Sequence, residues 1–209
     1  MAKVVALMSM SLDGYVADAN DGVDEVFDWY FSGDVEIPMP IPTPDFTFHV
    51  SPSSADHLRG LMAEVGAFLT GRRTFDVADG WGGRHAWGVP AFVLTHDVPE
   101  GWPRPGSTVE FVTDGIESAV ARAKDAAGPK SVAVHGAQTI QECLDAGLLD
   151  EIQIDLAAVL LGGGVRLFDH LAKTPAVLGD PKVVTGVGVT HLRYRAHLVD
   201  PEPRTNPRP

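Results

Sequence analysis

Short apolar segments alternate with amphipathic segments along most of the chain, and this alternation constrains the fold more than any other feature. Residues 3–10 read as a first strand, and residues 54–65 read as a helix with one apolar face. Strands that alternate with helices predict an α/β fold with a mostly parallel central sheet and helices on both of its faces. The closing pair of predicted strands indicates an antiparallel hairpin at one edge. The other predicted strands are 67–70, 91–95, 109–113, 131–135, 150–156, 181–188 and 190–199, and the other predicted helices are 115–127 and 138–146.

The two longest predicted helices begin at polar residues. Ser53 or Ser54 is expected to cap the first helix, because a serine oxygen can accept a hydrogen bond from a free backbone N–H of the first turn. Asp114 is expected to cap the second helix, where Glu117 stands at capping-box spacing.

The length of 209 residues is sufficient for one domain with a sizeable core. We expect that domain to cover residues 1–199. It should include an insert at 20–52 that only a subgroup of such domains has, and a flexible tail should follow at 200–209. Proline stands at every second position from 38 to 44, which excludes a helix there. Cys143 has no second cysteine to pair with, and a buried apolar role is favoured over a nucleophilic one.

The net charge of −12 makes a nucleic-acid partner improbable, because phosphate backbones need a basic surface. No apolar run reaches the roughly 18 residues that a membrane-spanning helix requires. The apolar N-terminus is short and lacks the small-residue pattern of a signal cleavage site. These features predict a cytoplasmic protein without a membrane partner.

Two junctions between a predicted strand and a predicted helix have the composition of an anion site. The first reads Gly71-Arg72-Arg73-Thr74, and the second reads His135-Gly136-Ala137-Gln138-Thr139. Three features of these junctions are suited to binding a phosphate. They are free amides at a helix start, small residues that allow close approach, and guanidinium groups. The alternative for the first junction is a pair of solvated arginines. Thr95 and His96 follow another buried strand, although His96 alone is more typical of a surface turn.

Two further segments allow either a turn or a ligand site. Asp13-Gly14 follows the first strand, where the carboxylate can lie at the edge of a pocket or simply in a turn. Gly162, Gly163 and Gly164 follow the last predicted parallel strand and permit a sharp loop. The histidines show no metal-ligand spacing, so no metal site is expected. The chain also has neither a Gly-x-Gly-x-x-Gly fingerprint nor a P-loop, and no Ser/His/Asp pattern is recognisable.

The order of these segments resembles the dihydrofolate reductase superfamily over about residues 3–198. The resemblance rests on Ser-Leu-Asp-Gly-Tyr-Val-Ala, Thr-Gly-Arg-Arg-Thr-Phe, Pro-Ala-Phe-Val-Leu-Thr-His, Val-His-Gly-Ala, Leu-Leu-Asp-Glu-Ile and Leu-Leu-Gly-Gly-Gly-Val-Arg-Leu-Phe. The chain most resembles the branch with the reductase domain of the bifunctional riboflavin-biosynthesis deaminase-reductase and its stand-alone relatives. The resemblance implies a three-layer dihydrofolate reductase-like fold, NADPH as cofactor and a homodimer. The zinc motif of the deaminase half is absent, so we expect the chain to act at most as the reductase.

Carried over residue by residue, the resemblance implies a cofactor site in three parts. The adenosine side would lie against Gly71, Arg72, Arg73 and Thr74, with Arg72 facing the 2′-phosphate and Thr95 and His96 forming a second wall. The pyrophosphate would lie at Gly136, Ala137, Gln138 and Thr139, and the loop at Gly162 and Gly163 would complete the site. His135 departs from the pattern, because related chains often carry glycine there, and we expect its ring to contact cofactor or substrate. Ala158 stands where proline is frequent, and the acid with which folate-reducing members help to protonate pterin has no clear counterpart.

These observations predict hydride transfer from NADPH to a small heterocyclic or carbonyl substrate, similar to 5-amino-6-(5-phosphoribosylamino)uracil reduction. Asp13 is the candidate for orienting substrate or relaying a proton. Candidate stacking residues are Trp29, Tyr30, Trp81 and Trp87, for which ordinary packing is the alternative. Two other functions stay open: a nucleotide-binding protein without turnover, and a reductase that uses a deazaflavin. Segment 20–52 is expected to border the substrate pocket.

Overall fold

A computed structural model describes residues 2–41, 47–172 and 174–196. Its elements in chain order are β1 (Val4–Ser11), β2 (Tyr15–Ala17), α1 (Asp24–Phe27), β3 (Val35–Ile37), β4 (Phe48–Val50), α2 (Pro52–Glu64), β5 (Val65–Gly71), α3 (Arg72–Val77), β6 (Ala91–Leu94), β7 (Val109–Val112), α4 (Ile116–Ala127), β8 (Ser131–His135), α5 (Ala137–Asp145), β9 (Glu151–Ala157), β10 (Val165–Arg166), β11 (Lys182–Thr185) and β12 (Val189–Arg195). Short 3₁₀ helices cover Asp28–Phe31 and Asp79–Gly83.

The central sheet has eight strands in the order β11-β12-β9-β1-β8-β5-β6-β7. The pairs from β9 to β7 are parallel, whereas β12 runs antiparallel to β9 and β11 antiparallel to β12. This confirms the α/β fold with a mostly parallel sheet and an antiparallel edge hairpin. Because the parallel strands share one direction, their carboxyl ends meet at one edge of the sheet.

Apolar clusters cover both faces of the sheet. Side chains alternate between the faces along a strand, so Val4 and Ala6 of β1 pack in one cluster and Leu7 packs in another. The first cluster includes buried residues of α4 and α5, and a third cluster joins α2 to segment 20–52. The faces therefore carry the helices, and the edge where the strands end is left for the loops.

The helix starts differ from the predictions by one or two residues. Ser51 caps α2, with its oxygen accepting from the Ser54 amide at 3.4 Å, because Pro52 already occupies the first helical position. The prediction that Asp114 caps α4 was wrong. Gly115 takes the cap position at φ 101°, and the Asp114 carboxylate instead accepts from the Ser118 hydroxyl at 2.9 Å.

Three other sequence predictions have separate outcomes. Cys143 is fully buried, and burial raises the pKa of its thiol to about 12, in keeping with an apolar role. Within the described ranges, the structure contains no helix long and apolar enough to cross a membrane. The tail 200–209 and the proline-rich stretch beyond residue 41 lie outside the described residues.

Candidate active site

A cleft of about 1430 Å³ opens at the carboxyl ends of the parallel strands. Its floor comes from β1, β5, β8 and β9, and its walls come from α3, the start of α5 and the segments 21–31 and 77–87. Described residues of segment 20–52 thus border the cleft, and the prediction that the segment borders the substrate pocket stays a prediction. The cleft has two chemically different ends, which are described separately below.

The arginine end of the cleft is formed by Arg72, Arg73, Thr95 and the first turn of α5. The helix α3 begins at Arg72, so both arginines lie in its first turn. Arg72 Nε contacts both Asp76 carboxylate oxygens at 2.8 and 2.9 Å, and its Nη1 donates to the Asp97 carbonyl at 3.3 Å. These contacts hold the guanidinium against the loop that follows β6.

Arg73 reaches in the opposite direction, to segment 20–52. Its guanidinium pairs with Asp21, whereas 64 % of the Arg73 side chain stays exposed. Thr95 donates from its hydroxyl to the Asp97 carbonyl at 2.9 Å, beside Arg72, and His96 is exposed on the same wall. The arginine end therefore carries two partly exposed guanidinium groups, each paired with one carboxylate.

The start of α5 forms a cradle whose first-turn backbone amides are free. Gly136 caps the helix at φ 85° and makes no side-chain cap, so these amides lack an acceptor within the helix. A Cβ on Gly136 would lie 2.6 Å from Thr74 Oγ1, and a Cβ on Gly71 would lie 2.8 Å from Thr139 Oγ1, so the two glycines let threonine hydroxyls pack against the cradle. The Thr70 hydroxyl below them is buried, and no hydrogen-bond partner for it is found in the described part of the chain. Free amides beside hydroxyl groups fit an anionic group.

The aromatic walls of the cleft include three of the four predicted stacking residues. Tyr30 lines the cleft between Trp29 and Phe48, with ring centroids 3.8 and 4.1 Å away. Trp81 and Trp87 line the opposite wall. Trp29 is 2 % exposed and donates its indole N–H to Ser9 Oγ at 3.1 Å, so it supports Tyr30 from behind and does not line the cleft.

His135 lines the cleft at the end of β8, directly before the α5 cradle. Burial lowers the pKa of its imidazole to about 4, although the nearby Asp155 opposes the shift. Its ring packs edge-on against Phe68 at 4.8 Å, and Nε2 has no hydrogen-bond partner. A neutral imidazole with an unused nitrogen therefore stands between the two ends of the cleft.

The carboxylate end of the cleft was missed by sequence reasoning. Asp155 of β9 lies in register with Ser9 of β1 and His191 of β12, so three neighbouring strands carry a row of buried polar side chains. His191 Nδ1 lies 2.7 Å from Asp155 Oδ1, and His191 Nε2 lies 3.0 Å from Ser54 Oγ. The available signal was Asp155 itself, since a charge within a buried strand must be paired.

Asp13 and the glycine loop lie outside the cleft lining. The Asp13 carboxylate accepts from the Ser11 hydroxyl at 2.6 Å and from the amides of Leu161 and Gly162 at 3.1 and 2.7 Å. These bonds, led by that from Ser11, hold the pKa of Asp13 below its ordinary value. Asp13 thus anchors the loop that contains Gly162 and Gly163.

The structure brings most of the predicted site residues together around one cleft. Those that line it are Gly71, Arg72, Arg73, Thr74, Thr95, His96, His135, Gly136, Ala137, Gln138, Thr139, Tyr30, Trp81 and Trp87, whereas Asp13, Trp29, Gly162 and Gly163 do not.

Comparisons with known proteins agree with this architecture. The model of the RibD C-terminal domain family matches residues 2–197. No curated protein matches the chain with statistical significance. A structure from Shewanella sp. PV-4, assigned to riboflavin biosynthesis, is 28 % identical with a TM-score of 0.65, covering 93 % of this chain and 98 % of that one.

Two more distant structures share the fold. The riboflavin biosynthesis reductase of Saccharomyces cerevisiae is 15 % identical with a TM-score of 0.60, over 93 % of this chain and 89 % of that one. The dihydrofolate reductase of Enterococcus faecalis, solved with NADP(H), is 14 % identical with a TM-score of 0.55, over 92 % of this chain and 95 % of that one. The dihydrofolate reductase-like fold is therefore shown.

Proposed function

The chain belongs to the RibD C-terminal domain family, and from this premise we propose that it is an NADPH-dependent reductase. Family membership and the riboflavin-reductase neighbours support a reductase of the riboflavin-pathway type. The proposed reaction is hydride transfer to a small heterocyclic or carbonyl compound similar to 5-amino-6-(5-phosphoribosylamino)uracil.

The observation that carries the proposal is the arginine end of the cleft. A dinucleotide phosphate requires donors for its pyrophosphate and cations for its additional phosphate. The first-turn amides of α5 would take the pyrophosphate, beside the Thr74 and Thr139 hydroxyls that Gly136 and Gly71 allow to pack there. Arg72 and Arg73 would take the 2′-phosphate, and Asp21 would then give up its contact with Arg73.

NADPH, when bound, supplies a hydride from its nicotinamide ring. The chain positions the acceptor: Tyr30 and Trp81 offer flat surfaces, and His135 stands where the two ends of the cleft meet. Segment 21–31 walls the cleft and limits the access of water to the reacting atoms.

Arg84, beside the aromatic walls of the cleft, is a cation that fits a substrate with a phosphate group. Arg84 is exposed in the cleft between Trp81 and His85, and no ion pair joins it to a carboxylate of the described residues. Its guanidinium is available for a terminal phosphate of the substrate, in the way that arginine commonly binds phosphate. Gly82 and Gly83 precede Arg84, so the backbone of this loop can also come close to the substrate phosphate.

A homodimer is a second part of this proposal. The outer strand β11 is exposed at all four residues, and Val183 is 56 % exposed. An exposed edge strand with apolar side chains is usually covered by another chain. Light scattering coupled to size-exclusion chromatography should give twice the mass of one chain. A monomer at micromolar concentration would contradict the homodimer and leave the proposed reductase activity unaffected.

The function is tested by following deuteride transfer from 4-deuterated NADPH to a panel of imines, dihydropterins and carbonyl compounds. The account predicts deuterium in at least one reduced product. Binding of NADPH without transfer to any compound would favour a nucleotide-binding protein. Binding of a deazaflavin without binding of NADPH would favour the deazaflavin reductase.

A further inference from the structure

The carboxylate end of the cleft brings together three side chains of the kinds that bind transition metals. His57 comes from α2, Asp155 from β9 and His191 from β12, and one ligand atom of each lies within 4.8 Å of the other two. His191 Nδ1 lies 2.7 Å and His57 Nε2 lies 3.4 Å from the same oxygen, Asp155 Oδ1. Two imidazole nitrogens and a carboxylate therefore surround one small volume.

Hydrogen bonds within the protein do not satisfy every polar atom of this cluster. His191 is satisfied, because its Nδ1 faces Asp155 and its Nε2 lies 3.0 Å from Ser54 Oγ. His57 Nε2 and Gln153 Oε1 are buried, and no hydrogen-bond partner for either is found in the described part of the chain. Buried polar atoms without a partner are uncommon, and a bound ion is one ordinary explanation for them. The cluster therefore calls for a ligand of its own.

The separations in the cluster are close to those that one zinc ion requires. Ligand atoms that lie 2.0–2.2 Å from a tetrahedral zinc ion are roughly 3.3 Å apart. The contact of His57 with Asp155, at 3.4 Å, has that length, whereas the contact of His191 with Asp155, at 2.7 Å, must lengthen. The two imidazole rings stack at 4.0 Å with 23° between their planes, so His57 must also turn to aim its lone pair. Its Nε2 has no hydrogen bond to lose in that turn.

The surroundings of His191 are those of a metal-binding imidazole. When one ring nitrogen binds a metal, a neighbour usually accepts the N–H of the other nitrogen, and this contact fixes the tautomer. Ser54 Oγ is such a neighbour for His191 Nε2, and Ser51 Oγ donates to Ser54 Oγ at 3.1 Å. A Cβ on Gly186 would overlap Ser54 Oγ, so a glycine is needed there. His191 Nδ1 is then the nitrogen that is left for the ion.

Asp155 connects this cluster to the cleft. It lines the cleft, whereas His57 and His191 are not among the lining residues. An ion would therefore have a route of entry and a coordination position that faces the cleft. Two imidazoles and a carboxylate suit Zn²⁺, which keeps a fourth position open when three side chains hold it, whereas Mg²⁺ and Ca²⁺ prefer oxygen ligands.

We propose that His57 Nε2, Asp155 and His191 Nδ1 bind one Zn²⁺ ion, whose fourth position faces the cleft and takes an oxygen ligand. The site does not depend on the proposed cofactor, because none of its three ligands belongs to the arginine end. The sequence predicted no metal site because the ligands come from three distant elements and so have no recognisable spacing.

The test is a calorimetric titration of the chelator-treated protein with ZnCl₂. The unmodified chain should bind one Zn²⁺ with a Kd of about 1 µM or tighter, as expected for three side-chain ligands in a buried site. His57→Gln removes one ligand and should weaken binding by at least about a hundredfold. The matched control is His170→Gln, because His170 lies 3.5 Å from Asp169 in an exposed pair, and this variant should keep the affinity of the parent.

Two further measurements use the unmodified protein, in case His57→Gln does not fold. The ring ¹⁵N resonances of His57 and His191 should shift with one equivalent of Zn²⁺, whereas those of His170 should stay in place. Co²⁺ in place of Zn²⁺ should give the visible absorption bands of a site with four or five ligands. Acetohydroxamate, an oxygen ligand, should change these bands by occupying the position that faces the cleft.

A Kd far above 1 µM for the unmodified chain would overturn the inference, and so would equal affinities of His57→Gln and His170→Gln. Ring resonances of His57 and His191 that do not respond to Zn²⁺ would overturn it as well. Cobalt bands that acetohydroxamate leaves unchanged would contradict the open position. These measurements need no NADPH, so their outcome is separate from that of the proposed reductase function.

Discussion

The arginine end and the carboxylate end of the cleft are assembled from the chain in different ways. At the arginine end, each group belongs to one of three short continuous stretches at strand ends: Gly71 to Thr74, Thr95 to Asp97, and Gly136 to Thr139. At the carboxylate end, the contacting residues are far apart in sequence, since Ser54 and His191 are separated by 137 positions. Local strand–helix junctions therefore set the first end, and sheet register sets the second.

This difference has a physical consequence for how each end tolerates change. The arginine end depends on absent side chains and free amides, so adding atoms should harm it most. The carboxylate end depends on present side chains that satisfy one another, so removing one should harm it most.

Gly136→Val should have the largest effect on NADPH binding. The new side chain would clash with Thr74 Oγ1, 2.6 Å from its Cβ, in a backbone at φ 85° that β-branched residues avoid. Calorimetry should show NADPH affinity reduced by about a hundredfold or more, because Thr74 and the first turn of α5, the proposed pyrophosphate site, must move apart.

Gly128→Val provides the matched control for that variant. Gly128 also has positive φ, at 60°, but its Cβ would meet nothing within 4 Å, and it lies at the end of α4 away from the cleft. It should lower the free energy of unfolding by about 1–3 kcal/mol and leave NADPH affinity unchanged. Equal losses of affinity in the two variants would show that strain, and not the cradle, matters.

Arg72→Ala should weaken NADPH binding by about tenfold to a hundredfold, as a charge-assisted guanidinium–phosphate contact is worth roughly 1.5–3 kcal/mol. Binding of NADH should hardly change, because it lacks the 2′-phosphate. Arg122→Ala is the control, since that arginine pairs with Glu110 and Asp114 outside the cleft. If Arg72→Ala weakened both cofactors equally, Arg72 would have a structural role in holding the Asp97 loop.

His135→Gly should change cofactor affinity or turnover several-fold and retain the fold. It should also change the pH dependence of stability. The folded-state pKa of about 4 lies below the ordinary 6.5, so the unfolded chain binds the proton more tightly. Stability from neutral His135 is complete above pH 6.5 and is lost as the pH falls toward 4.

The free energy of unfolding, measured by thermal unfolding, should therefore fall less steeply in the variant than in the parent as the pH is lowered from 6.5 to 4. The two slopes should differ by at most about 1.4 kcal/mol per pH unit. His85, whose pKa burial lowers to about 3, remains in both proteins, but His135 is the second cause of that shift, so part of the change in slope belongs to His85. Identical slopes together with identical binding and turnover would leave His135 as a packing residue.

Asp13→Asn should have the smallest effect of the series. Asp13 lies outside the cleft lining, and its bonds to Leu161 and Gly162 hold a loop. NADPH affinity should stay within about twofold, as for surface changes away from a site, while amide exchange in the glycine loop accelerates. A large fall in turnover with unchanged affinity would instead favour the proton-relay role that the sequence suggested.

The sequence allowed the arginine end to be predicted because its signals are local. Strand, glycine and helix follow one another within a few residues, and the residues predicted there lie together in the structure. The predicted cap at Asp114 does not form because Gly115 adopts φ 101° and occupies the N-cap position of α4. The spacing of the residues does not reveal which of the two takes that position.

The carboxylate end could not be predicted because its partners meet only through the sheet. The pairing of Asp155 with His191 follows from the antiparallel register of β12 on β9, and Ser54 arrives from α2. Trp29 was expected to stack on a substrate, but the register places Ser9 below it, and its indole N–H is used there. Trp29 and Tyr30 were predicted to stack by residue type alone. They have different surroundings in the structure because their contacts depend on the whole fold.

The proposed cofactor choice is tested by titrating the unmodified chain with NADPH and with NADH. Two arginines beside the proposed pyrophosphate site predict that NADPH binds at least about tenfold more tightly than NADH, with the difference reduced at high salt. Equal affinities for the two cofactors, or no binding of either, would contradict the account.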